Sequence, residues 1–86
     1  MKVNNLLSSS GNKVANQFII ETDNKIFFQS YNSMIAEVCH GKIYLDPVYY
    51  KYSKTTSKYL NRFLNMNGKE IEAGLKSGLI TFKNLN

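Results

Sequence analysis

The sequence predicts an α+β fold, an antiparallel sheet of four to five strands with one longer and one shorter helix packed on one side. Two observations predict it. Residues 17 to 45 are rich in β-branched and aromatic side chains between turn-forming pairs, which is typical of strands. From residue 53 the spacing of apolar residues lengthens from two to about 3.6, which is typical of helices. The predicted order is β-β-β-(β)-α-α-β.

The predicted strands follow one another as a meander. Asp23-Asn24 predicts a tight hairpin turn, and Asp46-Pro47 ends the run, because proline has no N–H for a strand ladder. The second strand carries Phe27 and Phe28 on opposite faces, which predicts a central strand with core on both sides. The predicted strands are residues 17–22, 25–31, 34–40 and 43–45.

Two amphipathic segments follow the strands. The first predicted helix covers residues 53–65, with Ser53 as the N-cap and a later start at Ser57 as the alternative. Asn67 and Glu70 have the spacing of a capping box, which predicts the start of a second helix. The remaining predicted elements are that helix, to about residue 77, and a final strand over residues 79–85.

Residues 1–16 are polar and rich in Asn, Ser and Lys, so we expect a flexible N-terminal arm there. Residues 17–86 then form a single α+β domain. Its predicted core is apolar and drawn from both the strands and the helices. The predicted core residues are Phe18, Ile20, Ile26, Phe28, Leu60, Phe63, Leu64, Ile71, Leu75 and Phe82.

The single cysteine and the hydropathy of the chain indicate the cellular compartment in which the protein is expected. Cys39 is the single cysteine, which excludes an internal disulfide and favours a reducing compartment. No apolar run resembles a signal peptide or approaches the ~20 residues of a membrane span. We therefore expect a cytoplasmic protein that does not contact the membrane. A homodimer would let so short a chain bury more apolar surface, so monomer and homodimer both stay open.

Patterns typical of catalysis or metal binding are missing from the sequence. His40 directly follows Cys39, and adjacent residues of a strand point to opposite faces, so a thiolate–imidazole pair is not expected. The acidic residues are scattered, and no phosphate loop or zinc-ligand spacing occurs. We expect a protein without catalytic activity, metal or cofactor.

The positive charge of the chain is concentrated at the first helix. The formal net charge is +5, and the segment from residue 51 to residue 62 contains four basic residues and no acidic one. Three of the four are spaced to lie on one side of the helix, opposite its apolar stripe. Such a face would attract a polyanion or an acidic protein, and an ordinary solvated face is the alternative. The four residues are Lys51, Lys54, Lys58 and Arg62.

Tyrosines precede these basic residues. Tyr49, Tyr50 and Tyr52 could stack on exposed bases while the lysines pair with phosphates, which favours nucleic acid as the partner. Tyrosine beside a basic rim suits an acidic protein groove equally well. Alternatively, Tyr49 or Tyr50 closes the core beneath the helix. The three tyrosines and the four basic residues together are the predicted partner-binding residues.

Several residue runs resemble a family of uncharacterised small proteins from phages, plasmids and integrated elements of low-GC Gram-positive bacteria. The most specific is the Tyr-Ser-basic-Thr-Thr-Ser run that begins at Tyr52. The resemblance extends over residues 9–85. It is carried by residues 16–20, 28–33, 52–59 and 80–85.

The resemblance implies a context and contributes no site residues. Small proteins of such elements often inhibit host defence systems, so it implies a non-catalytic inhibitor of a nucleic-acid-handling defence system, of the anti-CRISPR type. The partner would be an acidic protein surface or a nucleic acid, with a CRISPR effector complex as one candidate. A basic chain is unsuited to mimicking DNA. The alternatives are a stand-alone DNA- or RNA-binding regulator and a phage structural or assembly component.

Overall fold

The computed structural model describes residues 1–86 as a six-stranded sheet with two helices, which confirms the α+β class. Strands β1 to β5 form an antiparallel meander in chain order. After both helices, β6 pairs parallel to β5. The elements are β1 Lys2–Leu7, β2 Lys13–Glu21, β3 Lys25–Ser30, β4 Ser33–Cys39, β5 Lys42–Leu45, α1 Lys54–Leu64, α2 Gly68–Ser77 and β6 Ile80–Phe82.

The sheet is mixed and larger than the predicted antiparallel sheet of four to five strands. The last strand returns through two helices, and a helical crossover brings a strand back parallel to its neighbour. The predicted strand over residues 79–85 is also too long, because regular pairing ends at Phe82. The sixth strand comes from the N-terminus.

The N-terminal residues are the largest departure from the predicted fold. Where a flexible arm is predicted over residues 1–16, the structure has the edge strand β1 and the start of β2, so the predicted boundary at residue 17 lies inside a strand. Leu6 is buried in the core, whereas Asn4 is exposed. An edge strand needs few apolar residues, so the polar composition of this segment conceals it.

The core lies between the two helices and one face of the sheet. Phe63 of α1 stacks on Phe28 of β3, with 5.6 Å between ring centroids. On α2, Gly74 lies against β6 so closely that a Cβ there would be 2.7 Å from Cδ1 of Ile80. Any larger residue at that helix position would force the buried Ile80 side chain to move, so the packing favours glycine there. The buried cluster is Leu6, Phe28, Ile35, Ala36, Leu45, Leu60, Ile71 and Ile80.

The predicted core is correct in part. Phe28, Leu60 and Ile71 are buried. Ile26 and Phe82 are 41% and 47% exposed, so their prediction as core is wrong. Three further predicted residues, Phe63, Leu64 and Leu75, are partly buried against the cluster. The last two, Phe18 and Ile20, are partly exposed strand residues outside it.

Both helices begin at the caps that the sequence predicts. The N-cap of α1 is Ser53, whose hydroxyl accepts a hydrogen bond from the backbone N–H of Thr56 at 3.1 Å. Asn67 and Glu70 form the reciprocal capping box of α2. These pairs satisfy N–H groups that a helix start leaves without partners. Neither helix is long and apolar enough to cross a membrane.

The buried carboxylate of Asp46 joins the loop before α1 to the C-terminal residues. It accepts hydrogen bonds from the backbone N–H groups of Val48, Tyr49 and Leu85, and from the side chain of Asn86, at 2.9 to 3.0 Å. Burial acts to raise the pKa of Asp46, but these hydrogen bonds together hold it below its ordinary value of 3.8. The ionised carboxylate therefore organises the tyrosine-rich loop.

Candidate partner-binding surface

Helix α1 presents the predicted basic residues on its outer side. Thr56 and Leu60 are buried beneath it, while Lys54 and Lys58 are exposed. These two lysines take no part in the three ion pairs of the chain. The Lys58 ammonium lies 5.3 Å from the centroid of the Tyr59 ring, a cation–π contact that does not neutralise its charge. Lys54 and Lys58 are therefore cations available to a partner.

The other two predicted basic residues contact groups of the same chain. Lys51 Nζ lies 2.7 Å from Oε1 of Glu72 on α2, and this hydrogen bond is the main reason that its pKa is raised. Arg62 donates from Nη2 to the backbone carbonyl of Leu7 at 2.8 Å, which joins α1 to the end of β1. The structure thus separates the four basic residues into two whose charged groups bind an oxygen of the same chain and two whose charged groups do not.

The three predicted tyrosines differ from one another in how far their rings are exposed. Tyr50 is partly buried, and its ring is tilted against Phe82 with centroids 5.3 Å apart. Tyr49 is also partly buried, and its ring lies 5.9 Å from that of Tyr52. Tyr52 itself is 67% exposed. Tyr49 and Tyr50 help to close the core, whereas Tyr52 faces solvent.

A cleft of about 500 Å³ opens between this loop and the turn that joins β3 to β4. Tyr31 and Asn32 form the opposite wall, and Tyr31 is exposed with a left-handed φ of 55°. Both residues were missed from the sequence alone, because they fall at the end of one predicted strand and in the gap before the next. Their position beside the loop is a tertiary feature. The lining residues are Ser30, Tyr31, Asn32, Ser33, Tyr49 and Tyr52.

One residue that lines the cleft, Ser30, is hydrogen-bonded to helix α1. Ser30 Oγ and Thr56 Oγ1 share a hydrogen bond at 2.9 Å, which fixes the start of α1 against the end of β3. This hydrogen bond therefore joins the strand that ends just before Tyr31 to the helix that carries Lys54 and Lys58. We call the surface of Tyr31, Tyr52, Lys54 and Lys58 the tyrosine–lysine surface. No acidic residue occurs between positions 46 and 70, so its local charge is positive.

Groups typical of catalysis or metal binding do not converge at this surface. Cys39 is a free, partly buried thiol at the end of β4, and His40 is exposed in the following turn with φ of 51°. No group of three or more His, Cys, Asp or Glu side chains comes close enough together to hold a metal ion. The chemistry on offer at the tyrosine–lysine surface is ring contact, hydrogen bonding and charge pairing.

The fold and this surface define a small two-layer α+β protein with an exposed, positively charged loop–helix junction. A model of a family of unknown function, DUF8033, matches residues 1–78, and the chain belongs to that family. The match includes strands β1 to β5 and both helices, and it ends before β6. No curated protein and no solved structure matches the chain.

Proposed function

We propose that this protein is a non-catalytic binding protein that docks on an acidic protein surface through its tyrosine–lysine surface. In this proposal the partner belongs to a host nucleic-acid-handling defence system, which the protein inhibits or modulates. A CRISPR effector complex is one such partner. This biological setting is supported by the resemblance of the run beginning at Tyr52, and the mode of binding by the geometry of the surface.

One observation carries the proposal. Tyr52 is 67% exposed just before α1, whose first two turns carry Lys54 and Lys58, and neither lysine has an acidic partner within the chain. A large ring left in solvent is typical of interface anchors, because tyrosine supplies apolar contact area and a hydroxyl group together. Lysines without an acidic partner on the helix that follows this ring accelerate association with an acidic partner.

The number of available cations favours a protein partner over nucleic acid alone at this surface. Two lysines would neutralise about two phosphates, whereas strongly salt-dependent DNA-binding proteins make about six to ten phosphate contacts. A stand-alone DNA- or RNA-binding regulator that used this surface would therefore bind weakly. An acidic protein groove can add apolar contact with Tyr52 to the charge pairing.

The test is capture of partners from host lysate by the tagged protein, with and without nuclease treatment. We expect capture of a protein partner that nuclease leaves unchanged. The double variant Lys54→Gln/Lys58→Gln should lose most of this capture. The matched control Lys69→Gln/Lys76→Gln removes the same charge from exposed positions of α2 and should retain it.

Two outcomes would contradict the proposal. Capture that disappears on nuclease treatment would indicate that nucleic acid is the direct ligand. Equal capture by the wild type and by the Lys54→Gln/Lys58→Gln variant would remove the tyrosine–lysine surface from the mechanism. Circular dichroism of both variants provides the control for folding.

A further inference from the structure

The face of the sheet opposite the helices carries a continuous row of side chains. Cross-strand partners share a face, so the strand register identifies the members of the row. One row crosses all six strands at neighbouring positions. It consists of Val3, Ile20, Phe27, Glu37, Tyr44 and Thr81. Phe18, two residues before Ile20 on β2, lies on the same face.

No helix covers this face. The core cluster and the residues packed against it include Phe28 and Ile19, and omit Phe18, Phe27 and Tyr44. These three rings are partly exposed, and Val3 at the sheet edge is 55% exposed. The protein therefore keeps three aromatic rings on an open sheet face. We call the face formed by Phe18, Phe27, Tyr44, Lys25, Lys42 and Lys83 the sheet platform.

The charge on the sheet platform is positive. Lys25 and Lys42 are both register partners of Cys39, which places them in a second row beside the first. Lys83 lies over the Tyr44 ring, with 5.0 Å from Nζ to the centroid. The three lysines thus lie on the Phe27 and Tyr44 side of the sheet platform, where a polyanion can reach them.

The single acidic residue that the strand register places on this face is covered. Glu37 is only 3% exposed, and its carboxylate lies 3.1 Å from Lys83 Nζ and 3.9 Å from Lys25 Nζ. The two lysine side chains are 44% and 38% exposed. Glu37 offsets one of these two positive charges, so Lys25, Lys42 and Lys83 together with Glu37 leave a net charge of +2 on the sheet platform, and both paired lysine side chains remain partly exposed.

We infer that the sheet platform binds single-stranded nucleic acid. Bases stack on Phe18, Phe27 and Tyr44, because every base has an apolar face and stacking on aromatic rings tolerates any sequence. The phosphates pair with Lys25, Lys42 and Lys83. This binding is independent of the tyrosine–lysine surface, which lies on the helical side of the molecule.

Charge favours this occupant over a second copy of the chain. Two copies packed face to face bring the lysines of one sheet platform close to those of the other, and like charges across an interface oppose association. A strand of phosphates supplies the opposite charge along its whole length. Duplex DNA keeps its bases stacked internally, so it offers the rings no base faces.

The test is fluorescence anisotropy with labelled oligothymidylate and oligouridylate of about 12 nucleotides, a length within the usual site size of sheet-based binders. The net charge of +2 on the sheet platform predicts a slope of log affinity against log salt of about −1.4 for single strands. Duplex DNA of the same length should bind more weakly. The variant Lys42→Gln should make the slope shallower by about 0.7.

The matched variants separate this inference from the proposed function. Phe18→Leu/Phe27→Leu keeps apolar side chains but removes two stacking rings, and should weaken oligonucleotide binding about tenfold. Lys54→Gln/Lys58→Gln should bind the oligonucleotides as the wild type does, although it loses the protein partner. If the double leucine variant does not fold, the exposed substitution Lys42→Gln still tests the sheet platform.

Three results would overturn the inference. One is wild-type oligonucleotide affinity in a folded Phe18→Leu/Phe27→Leu variant, and another is an unchanged salt slope in Lys42→Gln. The third is a homodimer in sedimentation that the double leucine variant dissociates, because the sheet platform would then be an interface between copies.

Discussion

The two faces of the sheet carry similar side chains but differ in what covers them. On β3, Phe28 faces the helices and is fully buried, while its neighbour Phe27 faces the open side and is partly exposed. The two rings are adjacent residues of one strand, and the sequence contains no signal that tells the buried ring from the exposed one. Side chains that alternate along a strand show that the sheet has two faces. Both helices of this chain pack on the same face, so only that face becomes core.

The two buried carboxylates extend this comparison. On the open face, Glu37 is held by the ammonium groups of Lys83 and Lys25. Asp46, at the end of β5, has hydrogen-bond donors and no ion pair. A buried charge needs either a counter-ion or several hydrogen-bond donors. Glu37 has counter-ions, and Asp46 has hydrogen-bond donors.

The largest expected effect is on stability, and it should differ between a ring on the helical face of the sheet and a ring on the open face. Phe28→Ala should lower the free energy of unfolding by about 3–5 kcal/mol, because it leaves a cavity between β3 and Phe63. Phe27→Ala should cost about 1 kcal/mol, since its ring is already partly in solvent. Urea denaturation at neutral pH measures both. Equal losses would mean that the open face is covered in solution.

A smaller effect, and one that depends on pH, is expected at Asp46. Asp46→Asn places an amide where four donors converge, and should cost about 2–4 kcal/mol at pH 7. The pKa of Asp46 is held below 3.8 in the folded protein, so its stabilisation is complete above the unfolded value. It is lost as the pH falls through the folded pKa.

The measurement for Asp46 is therefore a series of urea denaturations at falling pH. The difference in unfolding free energy between wild type and Asp46→Asn should shrink in acid below the ordinary pKa of 3.8. Asp23→Asn, in an exposed turn, is the control and should show no such convergence. A difference that stays constant down to the acid transition would refute the role given to the ionised carboxylate.

The smallest expected effect on stability is at the tyrosine–lysine surface. Lys54→Gln and Lys58→Gln should each change the free energy of unfolding by less than about 0.5 kcal/mol, since both side chains are exposed and unpaired. Arg62→Gln should cost more, because it removes the hydrogen bond to Leu7. Thermal unfolding followed by circular dichroism compares them. A loss at Lys54 as large as at Arg62 would indicate a structural role for Lys54.

Local signals made the helices predictable. The side chains of Ser53 and Asn67 accept hydrogen bonds from backbone N–H groups only three residues away. Because such N-caps depend on residues close together in the chain, the sequence alone predicts them. Position along α1 likewise placed Lys54 and Lys58 on the outer side. The outward direction of these lysines required no knowledge of the sheet.

Long-range contacts decided the remainder. The sequence alone determined an α+β chain whose helices begin at their caps and whose basic residues line one side of α1. Only the tertiary structure joined Arg62 to Leu7 and Lys51 to Glu72, because these partners are far apart in the chain. It also drew residues 2–7 into the sheet as an edge and left Phe27 uncovered. The physical reason is that burial depends on which elements meet, and a periodic pattern records only that a side chain can be buried.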